Sequence, residues 1–561
     1  MIDKIQLKFG MDSIDKLTIP VTPITVFVGP NNSGKSKVLR EIEAYCRETK
    51  GHPSNLILDK LFLSSLDWND LERELNQLKV DAVPSENIYD NNIIISKISP
   101  QHNMGIRMQL SPSSMKDESE NPNLRPTIYY KKYLDLFTLR LDGTNRLNLL
   151  NEREAGDLLK VPSSHLSQLF INNPLRLQVR KIVFDAVGRY FVIDPTHLGM
   201  LRVRLSDNEP KSEQEERGLG EESINFHKKA LSIESASDGL KAFTGIISTI
   251  LAGDPKITLI DEPEAFLHPA LANILGKEIG NSLRNSIKRL FVATHSSNFL
   301  MGCIQSGIPL NIVRLTYKDG NSTARLLPPD KILHIMRHPL LRSTGVLNGL
   351  FFESVVVCEA DSDRAFYQEI NERLLSENDK RAISNCLFIN AQNKQTVWDI
   401  VKPLRELGIP TAGIVDIDVI KEGGVVFTKL LTGAFIPELN RQFFNNQRQV
   451  LYDTFKSLDK DFKRDGGIKL LVGENREACN NFFEQLTDYG VYIVKNGELE
   501  SWLKNLGASS HGSNWLINIF EKMGENPDDI NYLKPSNGDV WDFIGDLKVW
   551  LSNENRKGIP K

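Results

Sequence analysis

Apolar residues along the chain follow two patterns, short continuous runs and stretches with one apolar helical face. In residues 1–50 and 231–317, runs such as "ITVFV", "ITLID" and "RLFVAT" are separated by helical stretches. Short apolar runs that alternate with helical patterns are typical of parallel strands connected by helices. The same alternation starts again at "SVVVCEA" and continues to about residue 510. The pattern therefore predicts an α/β fold with two α/β units.

The remaining stretches predict the limits of the domains. Residues 51–230 are less regular, and we interpret them as a partly helical insertion in a first domain that spans residues 1–340. A second domain is expected at residues 350–510. Residues 511–561 contain "NWLINIFEKMG" and "DVWDFIGDLKVWLS", and their apolar spacing predicts a short C-terminal segment of two amphipathic helices.

Composition limits the class of protein. With 561 residues the chain is too long for one hydrophobic core, which favours more than one domain. Its net charge of −4 excludes a uniformly basic nucleic-acid coat and leaves room for local basic patches. Five cysteines without a CxxC pair indicate thiols in a reducing compartment. The chain has no apolar run as long as a membrane span and no signal-peptide core at its start, so a cytoplasmic protein without a membrane partner is expected.

A glycine-rich segment carries the strongest single motif. Gly29–Ser36, "GPNNSGKS", matches GxxxxGKS and lies between an apolar strand and a helix with one apolar face. In this setting the backbone N–H groups of the loop and the helix N-terminus can bind phosphates. Lys35 would reach the β and γ phosphates, and Ser36 would bind Mg²⁺. The predicted nucleotide-binding residues of this loop are Gly29, Asn31, Asn32, Ser33, Gly34, Lys35 and Ser36.

Three later segments fit around the same nucleotide. An apolar strand ends in Asp261 and Glu262, where Asp261 would hold the metal and Glu262 would orient or deprotonate the attacking water. Alone, this pair would also suit a helix start. His295 follows another strand and could sense the γ-phosphate, although a single histidine there is more often structural. Ser237 and Gly239 lie at a predicted helix start, where Ser237 could simply cap the helix.

The order of these motifs resembles the ABC-type ATPase heads, in the branch that includes chromosome-organising and repair ATPases and the OLD (overcoming lysogenization defect) family nucleases. Gly29–Ser36 match Walker A, Ser237–Gly239 a shortened signature, and Asp261–Glu262 Walker B. Leu267–Pro269 match the D-loop, and His295 matches the switch histidine.

This resemblance implies how the nucleotide would be held. ATP with Mg²⁺ would lie between two heads, in a homodimer or higher oligomer. Ser237 and Gly239 of one protomer would close over Lys35 of another. Asp261 would then be both a nucleotide-binding residue and a metal ligand, together with Ser36.

Two pairs of acidic residues follow strands of the second unit. Asp416 and Asp418 end the strand in "GIVDIDVIKEGG", and Glu359 and Asp363 follow the strand in "SVVVCEADSD". Alternation along a strand would turn Asp416 and Asp418 to one side, where they could bind a hard cation, although both could equally begin a solvated loop. Asp363 could likewise be a helix cap. Carboxylates at the carboxyl ends of neighbouring parallel strands converge on one crevice, which favours a metal site.

This acidic arrangement resembles the TOPRIM fold of topoisomerases, primases and OLD nucleases. Glu359 matches the TOPRIM glutamate, Asp416 and Asp418 match its DxD motif, and Asp363 matches the second acid of OLD nucleases. Ala360 stands where the family usually has glycine. Two additions come from "YIVKNGELESWL": Glu500 resembles the late acidic ligand, and Lys495 could stabilise charge on phosphate, although residues beside a helix start are usually solvated.

An ABC-type head followed by TOPRIM resembles the OLD-family endonucleases. The resemblance implies Mg²⁺- or Mn²⁺-dependent hydrolysis of DNA by two metal ions, with Glu359, Asp416 and Lys495 in the cleavage site and Glu262 and His295 in the ATP site. ATP would govern assembly or access. Many relatives act in anti-phage defence, some with a partner such as a retron reverse transcriptase and its RNA–DNA product.

Other functions remain open from the residues alone. The chain could be an ATP-driven DNA-binding or regulatory protein that has an inactive TOPRIM domain and acts with a partner. It could also be an ATPase that depletes nucleotide. The complete set of four acids favours the nuclease. A topoisomerase or primase is disfavoured because we identify no tyrosine-nucleophile domain and no polymerising site.

Overall fold

The computed structural model describes residues 1–11, 14–47, 54–89, 91–121, 128–330, 332, 345–509 and 511–560. The chain forms two compact units, Met1–Pro329 and Asp330–Lys561. The domain limits predicted at residues 51, 340 and 510 lie outside the described residues and stay predictions.

A six-stranded sheet forms the centre of the first unit. Its neighbouring strands are parallel except for one antiparallel hairpin at an edge. All five residues of Ile24–Val28 are buried, as expected for a central parallel strand with both faces covered. In spatial order the strands are Asn321–Leu327, Leu310–Lys318, Ile24–Val28, Arg289–Ala293, Ile257–Asp261 and Thr138–Leu141.

Smaller sheets complete the strands of the first unit. Leu58–Leu63 pairs with Ile2–Leu7, and Thr138–Leu141 pairs with Ile257–Asp261, so two strands of the region predicted as an insertion pair with strands from outside that region. The strands outside the six-stranded sheet are Ile2–Leu7, Thr18–Pro20, Leu58–Leu63, Ile93–Ser99, Met104–Leu110, Arg153–Glu154, Tyr190–Asp194, Met200–Ser206 and Leu231–Ser232.

Helices cover the faces of these sheets. Lys35–Arg47 buries Leu39, Ile42 and Cys46 completely, because their spacing places them on one face of the helix. The other helices of the unit are Trp68–Leu78, Pro112–Glu120, Ile128–Leu136, His165–Ile171, Asn173–Val187, Glu213–Arg217, Glu221–Lys229, Asp238–Gly253, Pro269–Ser282 and Ser297–Gln305, with short 3-10 turns at Arg146–Asn148 and Ile233–Ser235.

The second unit is built on a parallel four-stranded sheet. In spatial order its strands are Cys386–Asn390, Ser354–Cys358, Thr411–Asp416 and Val491–Val494. Its helices are Asp361–Ser376, Val397–Glu406, Gly424–Gly433, Glu438–Lys456, Gly473–Thr487, Ser513–Met523 and Asp539–Ser552, with 3-10 turns at Val346–Phe351, Ile417–Lys421, Gly467–Leu470, Leu499–Ser501 and Lys504–Leu506.

The two C-terminal helices predicted from the sequence are present and pack into the core of this unit. Trp515 of the first helix contacts Phe366, with 5.4 Å between ring centroids. Trp541 of the second helix is fully buried in the same hydrophobic cluster. Among the described helices, none combines the length and apolar character needed to cross a membrane.

Candidate functional site

The phosphate loop joins the central strand Ile24–Val28 to the helix Lys35–Arg47. Gly29 has φ +140°, and a Cβ atom there would lie 2.0 Å from Leu315 O. Gly34 has φ +94°, a conformation that side chains other than glycine rarely adopt. The two glycines of the motif are therefore required by the conformation of the loop.

Lys35 lies inside this loop. Its Nζ donates to Gly29 O at 2.9 Å and to Pro30 O at 2.7 Å, and the residue is buried. Burial lowers the pKa of Lys35 to about 8, against the opposing charges of Glu262 and Asp261. The loop carbonyls thus hold the amine at its centre, the place from which a lysine in such a loop reaches phosphates.

The two predicted magnesium ligands of the nucleotide site are in contact. Ser36 Oγ donates to Asp261 Oδ1 at 2.9 Å. Burial, followed by the charge of Glu262, raises the pKa of Asp261, although the hydrogen bond from Ser36 opposes this shift. A hydroxyl and a partly buried carboxylate at one point are ligands that suit Mg²⁺.

Glu262 lies beside this pair in an exposed and strained position. Its φ is +51°, a left-handed conformation that is uncommon outside glycine. Its N–H donates to Ala293 O at 2.8 Å. The fully buried Arg146 donates to the carbonyl oxygens of both Asp261 and Glu262. These contacts fix the backbone that carries the predicted catalytic glutamate. No motif around Arg146 indicates this role.

His295 is positioned by Glu264, another residue that the sequence analysis did not select. Glu264 accepts hydrogen bonds from Thr294 Oγ1 at 2.8 Å and from His295 N at 2.7 Å. Burial, followed by the positive charge of Lys35, lowers the pKa of His295. The predicted switch histidine therefore lies near Lys35 of the phosphate loop. The lowered pKa favours the neutral form of its imidazole ring.

Ser237 and Gly239 occupy a helix start, as the capping alternative predicts. Ser237 caps the helix Asp238–Gly253 and accepts a hydrogen bond from Leu240 N at 3.4 Å. A Cβ atom on Gly239 would lie 2.7 Å from Phe266 O, so glycine is needed for this close approach. Ser237 is exposed, which leaves it accessible to a second molecule.

Acidic residues of the second unit converge at the carboxyl ends of two adjacent strands. Glu359 follows Ser354–Cys358, and Asp416 ends Thr411–Asp416, which is its parallel neighbour. Carboxylate oxygens of Glu359, Asp416 and Asp418 lie within 4.8 Å of one another. Together with Asp363 these residues form what we term the acidic cluster.

Asp418 does not occupy the strand position that alternation predicts. The strand ends at Asp416, and Asp418 lies in the 3-10 turn Ile417–Lys421. The turn is held to the next strand end because Ile417 N donates to Gly497 O at 3.0 Å. The turn, and not strand alternation, brings the second aspartate to the first.

The acidic cluster carries unfavourable negative charge. Burial, followed by the charges of Asp416 and Asp418, raises the pKa of Glu359 to about 7. Burial, followed by the charge of Asp416, raises the pKa of Asp363 to about 7. Asp363 also accepts a hydrogen bond from Ala360 N at 2.9 Å, so it caps its helix and belongs to the cluster at once. Carboxylates in such a setting favour a bound cation.

One carboxylate oxygen of the acidic cluster has the properties expected of a metal ligand. Asp418 is 9% exposed, and its Oδ1 is buried without a hydrogen-bond partner among the described residues. Such an oxygen beside two other carboxylates fits a hard divalent cation, which takes oxygen ligands. A cation bound there would neutralise the cluster and activate water for hydrolysis.

Lysines other than the predicted one accompany the acidic cluster. Lys463 Nζ lies 2.9 Å from Asp416 Oδ2, and Lys394 Nζ lies 3.0 Å from Asp418 Oδ2. Among the described residues, these are the lysines in ion pairs with the cluster, and Lys495 is not one of them. Lys495 accepts at its carbonyl from Ile468 N, which anchors its backbone beside the site.

Glu500 belongs to a second group of potential ligands. Ligand atoms of Glu498, Glu500 and His511 lie within 4.8 Å of one another, and we term these three residues the second acidic group. Burial, followed by the charge of Glu500, raises the pKa of Glu498. The two groups are connected by Lys463, whose Nζ lies 2.9 Å from Asp416 Oδ2 and 3.8 Å from Glu498 Oε2. The spacing in "GELE" is the one signal that could have indicated Glu498.

Two known protein families match the segments of the chain that contain the two candidate sites. Residues 24–301 match the AAA_21 family, described as "AAA domain, putative AbiEii toxin, Type IV TA system". Residues 350–418 match the OLD-like TOPRIM family, described as "Overcoming lysogenization defect protein-like, TOPRIM domain". The first match contains the predicted ATP-site residues, and the second contains the acidic cluster. No curated protein sequence matches the chain.

Solved structures of SMC heads are similar to part of the chain. The SMC head bound to the C-winged helix domain of ScpA is 16% identical and has a TM-score of 0.34, covering 59% of this chain and 99% of that chain. The Smc head with an extended coiled coil from Pyrococcus furiosus is 14% identical with a TM-score of 0.32, covering 60% and 98%. The SMC head domain from Thermotoga maritima is 11% identical with a TM-score of 0.27, covering 58% and 98%.

The first unit is therefore a P-loop ATPase domain, and the second contains a TOPRIM domain. Their order in one chain matches an OLD-family ATPase–TOPRIM fusion. The α/β fold with an ATPase domain, a TOPRIM domain and C-terminal helices is confirmed.

Proposed function

We propose that this protein is an ATP-binding and ATP-hydrolysing, Mg²⁺- or Mn²⁺-dependent DNA endonuclease. The observation that carries the proposal is the acidic cluster. It gathers Glu359, Asp416 and Asp418 within a TOPRIM domain, and the buried Oδ1 of Asp418 has no hydrogen-bond partner in the described part of the chain. Carboxylates arranged in this way suit phosphodiester hydrolysis, because they can hold the cations that such chemistry uses.

Residues of the second unit would have different roles in cleavage. Glu359, Asp416 and Asp418 would hold one cation, and Asp363 and Glu500 would hold a second. Glu359, whose pKa is raised to about 7, can exchange a proton near neutral pH when no cation is bound. The positive charges of Lys463 and Lys394 offset part of the negative charge that a DNA phosphate would otherwise meet.

ATP would control assembly of the protein and access to DNA. Lys35, Ser36 and Asp261 would bind ATP with Mg²⁺, and Glu262 would activate water. The contact of Lys35 with the loop carbonyls and that of Ser36 with Asp261 support these roles. Exposed Ser237 supports a homodimer in which one protomer closes over the phosphate loop of another. Cleavage itself would take place in the TOPRIM domain.

The biological role that we propose is anti-phage defence in the cytoplasm. The TOPRIM domain is of OLD-like type, and the description of AAA_21 names a toxin and a toxin–antitoxin system. A partner such as a reverse transcriptase with its RNA–DNA product would supply the trigger. Phage plating on cells that express the wild type or Asp416→Ala tests this role. Equal plating efficiency on both would reject it.

The nuclease is tested with supercoiled plasmid, Mg²⁺ or Mn²⁺, and the purified full chain. We expect the wild type to cleave and Glu359→Gln to lose cleavage, because one charged ligand is removed. Asp361→Asn is a matched control: Asp361 is an acidic residue two positions after Glu359, at the start of the helix Asp361–Ser376, and it pairs with Arg364 and not with the acidic cluster. A wild type that hydrolyses ATP and never cleaves DNA would instead support a regulatory ATPase with an inactive TOPRIM domain.

A further inference from the structure

A lysine that the sequence analysis did not select lies between the acidic cluster and the second acidic group. Lys463 Nζ is 2.9 Å from Asp416 Oδ2, 3.6 Å from Asp418 Oδ2 and 3.8 Å from Glu498 Oε2. Its side chain is 24% exposed, so this ammonium group is largely withdrawn from water. The positive charge of Lys463 therefore offsets the negative charge of three carboxylates, two in the acidic cluster and one in the second acidic group.

The backbone of Lys463 is fixed beside the residue that precedes Glu498. Gly497 has φ +130°, and a Cβ atom there would lie 2.1 Å from Lys463 O. Only glycine permits this contact. The neighbouring Phe462 stacks on Phe455, with 4.5 Å between ring centroids. The close approach and the stacked rings hold the lysine at the site.

Lys463 comes from a part of the chain that the TOPRIM family match does not cover. That match ends at residue 418. Lys463 lies in the segment between the strands Thr411–Asp416 and Val491–Val494. Its position at the site is therefore a property of this structure and does not follow from the family match.

A lysine ammonium and a divalent cation compete for the same oxygens. The ammonium group donates three hydrogen bonds and has no lone pair, so it cannot act as a metal ligand. It uses Asp416 Oδ2 and approaches Asp418 Oδ2. A cation bound by these aspartates would lie close to Nζ and be repelled by it.

We propose that Lys463 is the resident counter-charge of this site. In the metal-free protein it holds Asp416 and Asp418 together, and it weakens divalent-cation binding until Nζ moves away from them. When Nζ moves away from the aspartates, its positive charge can pair with a phosphate group of DNA. Binding of DNA would therefore strengthen binding of the metal, and binding of the metal would strengthen binding of DNA. The inference rests on the proposed nuclease function and adds a positioning residue to it.

The test measures Mn²⁺ binding to the nucleotide-free full chain from the electron paramagnetic resonance signal of free Mn²⁺. Binding that disappears in Glu359→Gln is assigned to the acidic cluster. We expect Lys463→Gln to bind Mn²⁺ at this site about tenfold more tightly than the wild type, because a nearby like charge is removed. We also expect its melting temperature in EDTA to fall and to recover when Mn²⁺ is added.

Two further variants separate charge from folding. Lys463→Arg keeps the charge and should bind Mn²⁺ as the wild type does. Lys429→Gln removes a lysine of the same unit that pairs with Asp399 at 2.6 Å, away from the acidic cluster, and should also match the wild type. If Lys463→Gln does not fold, wild-type protein titrated with duplex DNA must show tighter Mn²⁺ binding for the inference to stand.

The outcomes separate this inference from the proposed nuclease. Unchanged or weaker Mn²⁺ binding in folded Lys463→Gln overturns the counter-charge role, even if the wild type cuts DNA. Tighter binding in a protein that never cuts DNA supports the counter-charge role and rejects the nuclease. Tighter binding with slower cleavage by Lys463→Gln supports both.

Discussion

Ser36 Oγ donates a hydrogen bond to Asp261 Oδ1 at 2.9 Å, although the two residues are 225 positions apart in the sequence. The contact exists because Ile24–Val28, the strand before the phosphate loop, and Ile257–Asp261, the strand that ends at Asp261, both pair with Arg289–Ala293. Their carboxyl ends therefore meet at one edge of the parallel sheet, where ligands bind in such folds.

The first prediction concerns ATP binding. Lys35→Ala removes the amine held inside the phosphate loop, so ATP affinity should fall by at least about tenfold, as expected for loss of a charged hydrogen bond of ~1.5 kcal/mol or more. Equilibrium dialysis with labelled ATP measures it. Lys37→Ala is the control, since Lys37 is an exposed lysine on the same helix. Equal ATP affinity in Lys35→Ala and wild type would show that Lys35 does not contribute to ATP binding.

The second prediction separates ATP binding from hydrolysis. Glu262→Gln should bind ATP with wild-type affinity, because Asp261 and Ser36 are unchanged. Its turnover should fall by about 10²-fold or more, the usual loss when a general base is removed. Single-turnover hydrolysis measures the chemical step. Hydrolysis at the wild-type rate would contradict the role of Glu262.

The third prediction concerns metal binding by the acidic cluster. Saturating Mn²⁺ should stabilise the nucleotide-free wild type, by about 2.7 kcal/mol at a concentration a hundred times the dissociation constant. Asp416→Ala should lose this stabilisation and DNA cleavage while keeping ATP binding. Melting temperatures with Mn²⁺ and with EDTA measure the effect, and Asp361→Ala should behave as the wild type. A stable Asp416→Ala that still cuts DNA would end the assignment.

The fourth prediction is a pH dependence of the first unit. His165 is buried, and neither ring nitrogen has a hydrogen-bond partner among the described residues. Burial, followed by the charge of Lys97, lowers the pKa of His165 to about 3, from an ordinary value near 6.5. Because the folded-state pKa is the lower one, the stability from the neutral ring is complete above pH ~6.5 and is lost as the pH falls.

We therefore expect His165→Leu to flatten the loss of stability between pH 6 and pH 4. The wild type should lose up to ~1.4 kcal/mol per pH unit from this group. Melting of the first unit at several pH values measures the slope. His102→Leu, which changes an exposed histidine, should keep the wild-type slope. An unchanged slope in His165→Leu would show that the ring takes up its proton in the folded protein as it does in the unfolded chain, and that its pKa is not lowered.

The sequence was sufficient for features that depend on local pattern. Continuous apolar runs predicted Ile24–Val28, Ile257–Asp261 and Ser354–Cys358, because a strand covered on both faces needs apolar residues throughout. Acidic residues directly after such strands then had a predictable place, at the carboxyl edge of a sheet. This is why Glu359 and Asp416 could be paired before the fold was known.

Features that depend on long-range approach were not predictable. Arg146 follows the four-residue edge strand Thr138–Leu141, which is too short to show a period. Lys463 reaches the acidic cluster only because Gly497 admits its backbone. Lys495 is predicted instead because it lies five residues before Glu500 in the sequence, and sequence proximity does not determine which amine faces the cluster.

The strand order of the first unit sets the order of events during synthesis. The strand that leads into the phosphate loop, Ile24–Val28, leaves the ribosome long before its partners Arg289–Ala293 and Leu310–Lys318, which lie more than 250 residues further along the chain. Contacts between such distant residues form slowly. The nascent chain must therefore remain without a working ATP site until nearly the whole first unit has emerged. A general chaperone would have its longest opportunity to bind during that interval.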